Sequence, residues 1–472
     1  MSLSARANKL TAPDPNFFFI QVLADLYDAQ TNQRGYVNLG VAENTLLHER
    51  FMKHMRAKLE PEDGIPAIAL TYGDGYKRLK PTVARFLTRQ LRPVRAITPA
   101  DVFVSNGCTV AIENLSWALA NPGDAILIGR PYYGAFPTDV GKRTGVELRP
   151  VAFGAGVDPM GLAAVDPMGL AAVDPMGLAA VEAHRAAILA AKDRGQRIAA
   201  IILAHPNNPL GRCYPRDVLL AYMRLCQEHR VHLISDEIYA LSVFENAFDT
   251  EPAPVPFESA LSIDVNGIID PELVHVIWGM SKDFGVSGLR MGFVITQGNS
   301  PLKGALQNVF EFGWTSSLSD LVTANVLDDD EWVDTFIRDN RRLLGKQHAI
   351  VLRWARDNGI EYTPGSNAGF FVWVNLGAAY LKNRVADDEK QQVDLDKDVM
   401  DSLLKEKVFL ADGVRFGAEE PGWFRIIFAH ETEYLELGLE RILAAVGGSV
   451  SKKESSELPY RTNGVNGVNG KA

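Results

Sequence analysis

The stretch VHVIWGMSK, residues 274–282, runs apolar for the length of a strand and then stops on Ser281-Lys282, with Arg290 eight positions further on. A short apolar run bounded by polar residues reads as a strand buried on both faces, and a lysine at its carboxyl end can project into a cleft. The same grammar repeats on either side. IAAIILAHPNN (198–208) and VHLISDEIYA (231–240) each run apolar and end on polar residues. DVFVSNG (101–107) precedes a helical stretch around AIENLSWALA (111–120), and GDAILIG (123–129) precedes a Pro-Tyr-Tyr loop. Strands alternating with helices predict an α/β fold on a mostly parallel sheet, whose ligand lies beyond the carboxyl ends of the strands.

With 472 residues, 47% of them hydrophobic, the chain has material for a large domain and a smaller one. The expected division is an N-terminal arm over 1–50 that belongs to the small domain, a large domain over 51–330, a small α+β domain over 331–447 and a disordered tail over 448–472. The arm rests on an extended-looking segment at 35–44, followed by amphipathic helical patterning in HERFMKHMRAKLE (48–60). The small domain rests on a long charged helix from about residue 331, strands in GFFVWVNL (369–376) and WFRIIFA (423–429), and a helix through ETEYLELGLERILAAV (431–446). The tail is polar and rich in Gly and Asn. VDPMGLAA occurs three times in tandem, from Val157, Val165 and Val173. Period eight is too short for a solenoid unit, so 157–180 is expected to be an insertion that lengthens a loop before a helix over 181–192.

Charge and cysteines narrow the function. A formal net charge of -10 argues against nucleic acid or an anionic membrane as partner and favours a small molecule. The three cysteines, Cys108, Cys213 and Cys226, include no CxxC pair, which suits a reducing compartment. The first twenty residues hold no apolar stretch long enough for a signal peptide, and no run of about eighteen apolar residues could span a membrane, so a cytoplasmic protein is expected. Neither a Gly-x-Gly-x-x-Gly turn nor a phosphate loop is present, and His430-Glu431-Thr432-Glu433-Tyr434 opens like a zinc-protease helix but lacks the second histidine. No metal is expected.

The strand-end residues carry the chemistry. Partial burial lowers the pKa of a lysine such as Lys282 and favours the neutral amine that forms a Schiff base, although a solvated turn would look the same in isolation. Asp236 closes another apolar strand, where a carboxylate can keep a pyridine nitrogen protonated, and Tyr239 three residues on can reach the oxygen of the same ring. An N-cap aspartate beside a packed tyrosine is the competing reading. Asn208, in HPNNPLG (205–211), can donate to that oxygen, while Asn-Pro is equally a turn signal.

Taken in order, Asn208-Pro209-Leu210-Gly211, Asp236-Glu237-Ile238-Tyr239, Ser281-Lys282 and Arg290 resemble the pattern of the class I/II aminotransferases, which are fold-type I enzymes dependent on pyridoxal 5'-phosphate (PLP). VNLGVAENTL (37–46), RPYYGAFPTDVGKRTGVELRP (130–150), SKDFGVSGLRMGF (281–293), SNAGFFVWVNL (366–376) and EPGWFRIIFA (420–429) extend the likeness, in particular to the branch similar to 1-aminocyclopropane-1-carboxylate (ACC) synthase, fungal members included.

The resemblance implies a homodimer with its active site at the subunit interface and the following roles. Lys282 is the Schiff-base lysine and the base that moves protons at Cα, Asp236 the partner of the pyridine nitrogen, Tyr239 and Asn208 the donors to the ring oxygen. Tyr133 stacks on the ring, a core tyrosine being the alternative. Gly107-Cys108-Thr109, between a strand and a helix, holds the phosphate with backbone N–H groups, and Ser281 and Arg290 complete the cup. Cys108 then serves as a backbone donor and not as a nucleophile. Tyr72, in LTYGDG (70–75), corresponds to a tyrosine that reaches the neighbouring subunit's phosphate. Arg425 grips the substrate α-carboxylate as a bidentate pair. Glu43 matches an acidic position of the ACC synthase branch, or is a helix-start carboxylate.

Two departures stand out. Gly279 occupies a position where these families usually carry a serine, and LTYGDG replaces a Gln-Asp-Tyr-His-Gly stretch that helps form the substrate pocket. Both leave the cofactor machinery intact and bear on the substrate, an amino acid or amino-acid conjugate. The expected reaction is therefore transamination first, carbon–sulfur bond cleavage of the kind linked to fungal secondary metabolism second, and ACC formation third. A catalytically silent binding homologue would have shed the lysine, the aspartate or the arginine, and all three are present.

Overall fold

In the computed structural model, which describes residues 3–8, 10–11, 17–59, 65–72, 78–154, 174–383 and 394–448, the first strand is the short β1 (Val37–Asn38). The chain then lays down β2 (Val102–Asn106), β3 (Ala125–Gly129), β4 (Glu147–Val151), β5 (Ile198–Ala204), β6 (His232–Asp236), β7 (Val274–Gly279) and β8 (Met291–Thr296), which form one sheet in the order β2-β8-β7-β6-β5-β3-β4. The strands from β4 across to β7 are parallel neighbours, while β8 runs antiparallel between β7 and β2. Every residue of β5 and β7 is buried, which explains why their sequences do not alternate.

The two faces of the sheet feed different cores. Ile201 and Leu203 of β5, with Val276 and Trp278 of β7, pack against the helices Leu79–Leu91, Leu178–Asp193 and Arg216–His229. Ala200, Ile202 and Ala204, with Ile277, point the other way, toward the helices Cys108–Leu119 and Ser300–Val309. Successive side chains of a strand alternate between its faces, so an unbroken apolar run is what a sheet covered on both sides requires.

A second core gathers the C-terminal part of the chain and its beginning. β9 (Glu361–Tyr362), β10 (Phe371–Asn375), β11 (Val408–Phe409), β12 (Ala411–Asp412) and β13 (Trp423–Ile427) follow there. β12, β13, β10 and β9 make an antiparallel sheet, while β11 takes β1 as a parallel partner. The helices Asp330–Asp357, Leu395–Lys405 and Thr432–Ala445 cover these strands, and Val37 and Leu39 of the N-terminal segment are fully buried among them. Gly438 permits the approach, since a Cβ there would lie 2.5 Å from Leu39 Cδ1.

The third VDPMGLAA copy is loop from Asp174 to Gly177 and helix from Leu178. Asp174 accepts both Arg212 N–H groups at 3.0 Å, Met176 is buried, and Leu178 to Ala180 form the first turn of Leu178–Asp193, so this helix begins three residues before the expected 181. Gly177 takes the N-cap, and the small Ala180 fits the core with no exposed surface. The first two copies and the tail at 449–472 lie outside the described residues. Among the described residues no helix is long and apolar enough to cross a membrane.

Candidate active site

Because β5, β6 and β7 are parallel neighbours, they deliver their last residues to one edge of the sheet. Backbone bonds from His205 N to Asp236 O and from Glu237 N to Ile277 O, both 2.8 Å, hold these ends in register. Asn208 follows β5, Asp236 ends β6 and Lys282 sits one turn beyond β7. All three line one solvent-connected cavity, together with Cys108, Thr109, Tyr133, Tyr239, Ser281 and Arg290. The folded chain thus brings most of the sequence-predicted site residues around one space.

Lys282 donates from Nζ to the carbonyl of Ala42 at 2.7 Å. Desolvation, then the neighbouring Arg425 charge, lowers its pKa to about 8. Asp236 has the complementary problem. Burial raises its carboxyl to about 7, one long 3.3 Å bond from Ile238 N offsets little of this, and among the described residues it forms no ion pair. A buried carboxylate without a cation is a vacancy for a positively charged ligand group.

Two tyrosines and an asparagine frame the cavity between them. Tyr133, whose hydroxyl burial pushes up to about 12, stands edge-on to Phe136 with ring centroids 5.4 Å apart. Tyr239 is wedged edge-on against Phe370 and Phe371. Asn208 Oδ1 accepts from Arg425 Nη1 at 3.0 Å, which leaves its Nδ2 to donate elsewhere.

Arg425 lies on β13 of the second sheet and is only 4% exposed. Its guanidinium sits 4.7 Å above Phe416 and 5.6 Å from Phe371, and Nη2 donates to Gly40 O at 2.7 Å. Its Nε is buried with no acceptor, and among the described residues no carboxylate pairs with it. Such a cation is incomplete without an anionic ligand.

Beside the cavity the helix Cys108–Leu119 begins at Gly107, whose φ of +88° disfavours a side chain and leaves the Arg290 guanidinium close against the backbone. The N–H groups of a helix's first turn have no partners within the helix, so they and Arg290 face an anion-sized space. Burial raises the Cys108 thiol far above its ordinary range, and Sγ donates to Trp278 O at 3.5 Å. A Cβ on Gly279 would lie 2.7 Å from Met291 O and 2.8 Å from Cys108 Sγ. The sulfur therefore fills the space into which a serine at 279 would extend, and that departure from the family pattern is a consequence of packing.

Three sequence-predicted residues are not part of the cavity wall: Arg425, which reaches it through Asn208, and the exposed Glu43 and Tyr72. Glu43 is exposed, though its charge acts on Lys282. Tyr72 is 89% exposed, with its ring 6.2 Å from that of Trp314. Conversely, the sequence reading passed over Asp139, a buried carboxylate on the helix Phe136–Gly141 that lines the cavity and accepts from Thr109 Oγ1 at 3.4 Å. Its signal was an acid six residues after Tyr133. The carbonyls of Gly40 and Ala42 had no signal, since a backbone acceptor is the same in every residue.

A desolvated amine, an unpaired buried carboxylate, an anion-binding helix start and an aromatic wall suit a flat cationic ring that carries an aldehyde and a phosphate. Comparison with known proteins agrees. Residues 34–442 match the family model described as aminotransferase class I and II. The chain is 32% identical to 1-aminocyclopropane-1-carboxylate synthase-like protein 1 of Bos taurus, covering 90% of this chain and 78% of the relative. It is 31% identical to the probable inactive 1-aminocyclopropane-1-carboxylate synthase-like protein 2 of Mus musculus (89% and 67% covered) and 30% identical to 1-aminocyclopropane-1-carboxylate synthase 2 of Arabidopsis thaliana (91% and 82%). Thermus thermophilus aspartate aminotransferase with maleate shares the fold, with a TM-score of 0.66 at 22% identity over 94% of this chain and all of that one. Fold, family model and relatives converge, and the chain belongs to the PLP-dependent class I and II aminotransferase family, fold-type I, in its ACC-synthase-like branch.

Proposed function

We propose that the protein is an aminotransferase that binds an α-amino acid between Lys282 and Arg425. One observation carries this reading: Arg425 is buried and Lys282 partly buried, neither is ion-paired among the described residues, and each donates to a carbonyl of the same segment, Ala42 for Lys282 and Gly40 for Arg425. An amino acid's two polar groups, attached to one carbon, need such a pair of sites close together.

Bound PLP withdraws electrons from Cα and so acidifies its C–H bond. This chain's residues supply the rest. Asp236 holds its negative charge against the ring nitrogen, Tyr239 and Asn208 Nδ2 donate to the ring oxygen, and Tyr133 covers the ring face. The first turn of Cys108–Leu119, Thr109, Ser281 and Arg290 hold the phosphate. Arg425 would clamp the α-carboxylate and thereby fix the orientation of the bonds at Cα. Lys282, neutral in a larger fraction than an ordinary lysine because its pKa is near 8, takes and returns the proton at Cα through Nζ. Glu43, whose charge acts on Lys282, is an additional substrate-facing charge in this reading.

Tyr72, Leu70 and Phe312 are 89%, 83% and 92% exposed, and Tyr72 rests beside Trp314. Large apolar side chains grouped in this way support a covering partner. In our reading that partner is a second copy of the chain, with Tyr72 reaching its phosphate cup. Three buried free thiols support a reducing, cytoplasmic setting.

Product analysis tests the reaction. Holoenzyme supplied with L-amino acids is expected to yield keto acid in proportion to an added keto-acid acceptor. Keto acid with released thiol and no need for acceptor would assign carbon–sulfur cleavage instead, and ACC formed from S-adenosylmethionine would assign the reaction after which the Arabidopsis relative is named. Tyr72→Ala is expected to leave a dimer on light scattering but to weaken PLP retention by about tenfold, the worth of one good hydrogen bond; unchanged retention would remove Tyr72 from the cup.

A further inference from the structure

We propose that Asp139 acts as a neutral carboxylic acid that turns the Thr109 hydroxyl toward the cofactor phosphate, so that PLP binding draws a proton onto Asp139. The proposal rests on the reading of Thr109 as part of the phosphate cup. Asp139 lines the same cavity as Lys282 and Asp236 and is 6% exposed. Its side chain has one hydrogen bond, from Thr109 Oγ1 at 3.4 Å, and among the described residues no ion pair.

The charges around it give no relief. Glu113, on the facing helix, is tied to Arg143 by a 3.2 Å ion pair and still repels Asp139. Cys108, Tyr133 and Asp236 line the cavity as neutral or acidic groups, and among the described residues the cavity cations Lys282 and Arg290 form no hydrogen bond or ion pair with it. Burial accordingly lifts its pKa to about 6, with the Thr109 bond opposing and Glu113 assisting.

Proton counting at Thr109 does the rest. A hydroxyl carries one hydrogen. While that hydrogen is donated to an Asp139 carboxylate, Thr109 can present only lone pairs to a phosphate, and a second anion stands one hydroxyl away from the dianion. With a proton on Asp139 the direction reverses. The carboxylic O–H donates to Thr109 Oγ1, and the Thr109 O–H is free to donate to a phosphate oxygen. Nothing is oxidised or reduced; one proton is taken from solvent for each cofactor bound above the free acid's range. Pyridoxal, which lacks the phosphate, makes no such demand.

The test uses the full chain stripped of cofactor and titrated with PLP or pyridoxal from pH 6 to 9, followed by protein fluorescence. Calorimetry of the wild type at pH 8 in two buffers of different ionisation enthalpy is expected to show one more proton taken up with PLP than with pyridoxal. Equal uptake would overturn the proposal without any variant. Asp139→Asn supplies a permanent donor of the same shape. It is expected to match the wild type for PLP at pH 6, to bind PLP at least tenfold more tightly at pH 8.5, and to match the wild type for pyridoxal throughout. An Asn variant that follows the wild-type PLP curve, or differs equally with pyridoxal, overturns the proposal. Thr109→Val separates the two claims: unchanged PLP affinity removes Thr109 from the cup and the proposal with it, whereas weakened PLP binding beside a wild-type-like Asn variant removes the Asp139 role alone.

Discussion

The two ends of β6 and β7 lie in the same sheet, yet they treat polar groups in opposite ways. At the start of the strands, His232 Nδ1 meets His275 Nε2 at 3.0 Å, and His275 Nδ1 meets Thr296 Oγ1 at 3.0 Å, so both nitrogens of the buried His275 are satisfied. At the carboxyl end, Asp236 and the nearby Arg425 are equally buried but lack charge partners among the described residues. Buried polar groups are normally satisfied, so the end where they are not is the end that awaits a ligand. The histidine end is closed by its own contacts, and the other end leaves its charges open.

The comparison breaks most easily at Lys282. Lys282→Ala is expected to lower amino-acid turnover by about 10³-fold or more, the scale of a lost proton-transfer group, with little change in melting temperature. Turnover restored by added small amines would sharpen the assignment, and a variant that turns over like wild type would end it.

Stability as a function of pH should have opposite signs at the two ends. Asp236 has a folded pKa raised from 3.8 to about 7, so its contribution is fully present below pH 3.8 and is lost as pH rises through 7. About three units at 1.36 kcal/mol each gives a gain of order 4 kcal/mol for cofactor-free Asp236→Asn over wild type near pH 8, and almost none near pH 4. The histidines run the other way. His275, lowered from 6.5 to about 3, and His232, lowered to about 4, contribute stability above pH 6.5 that is lost as pH falls toward those values. Melting curves from pH 4 to 8 that show one sign for both ends would contradict this division.

Arg425→Gln is expected to raise KM for the amino acid by about 10- to 100-fold, as when a charge-assisted hydrogen bond of about 1.5–3 kcal/mol is removed, while PLP stays bound. The smallest effect belongs to the histidine end. Thr296→Val leaves one buried His275 nitrogen unpaired and should cost about 1–3 kcal/mol in chemical denaturation with PLP affinity unchanged. Altered PLP affinity would mean that the two ends are coupled.

Much of this site was legible because each part is local. Apolar runs ending on Asn208, Asp236 and Lys282 announce strand ends, and parallel strands must place those ends together. Arg425 was legible as a cation inside an apolar run, and Gly107-Cys108-Thr109 as a strand-to-helix junction. What escaped was contact between distant segments. Asp139 reads as an ordinary helix acid until the helix docks against Thr109, thirty residues away in sequence. Gly279 reads as a lost serine until Cys108 Sγ is found to fill the space.

By itself, then, the sequence determined the α/β layering, the family and the residues that project from the strand ends, because burial on two faces and strand termination are written in the order of apolar and polar residues. Only the tertiary structure decided which charges go unpaired, that the Gly40 and Ala42 carbonyls hold Arg425 and Lys282, and that a buried acid stands behind Thr109. Pairing and desolvation depend on which surfaces meet across hundreds of residues, and no local pattern encodes that.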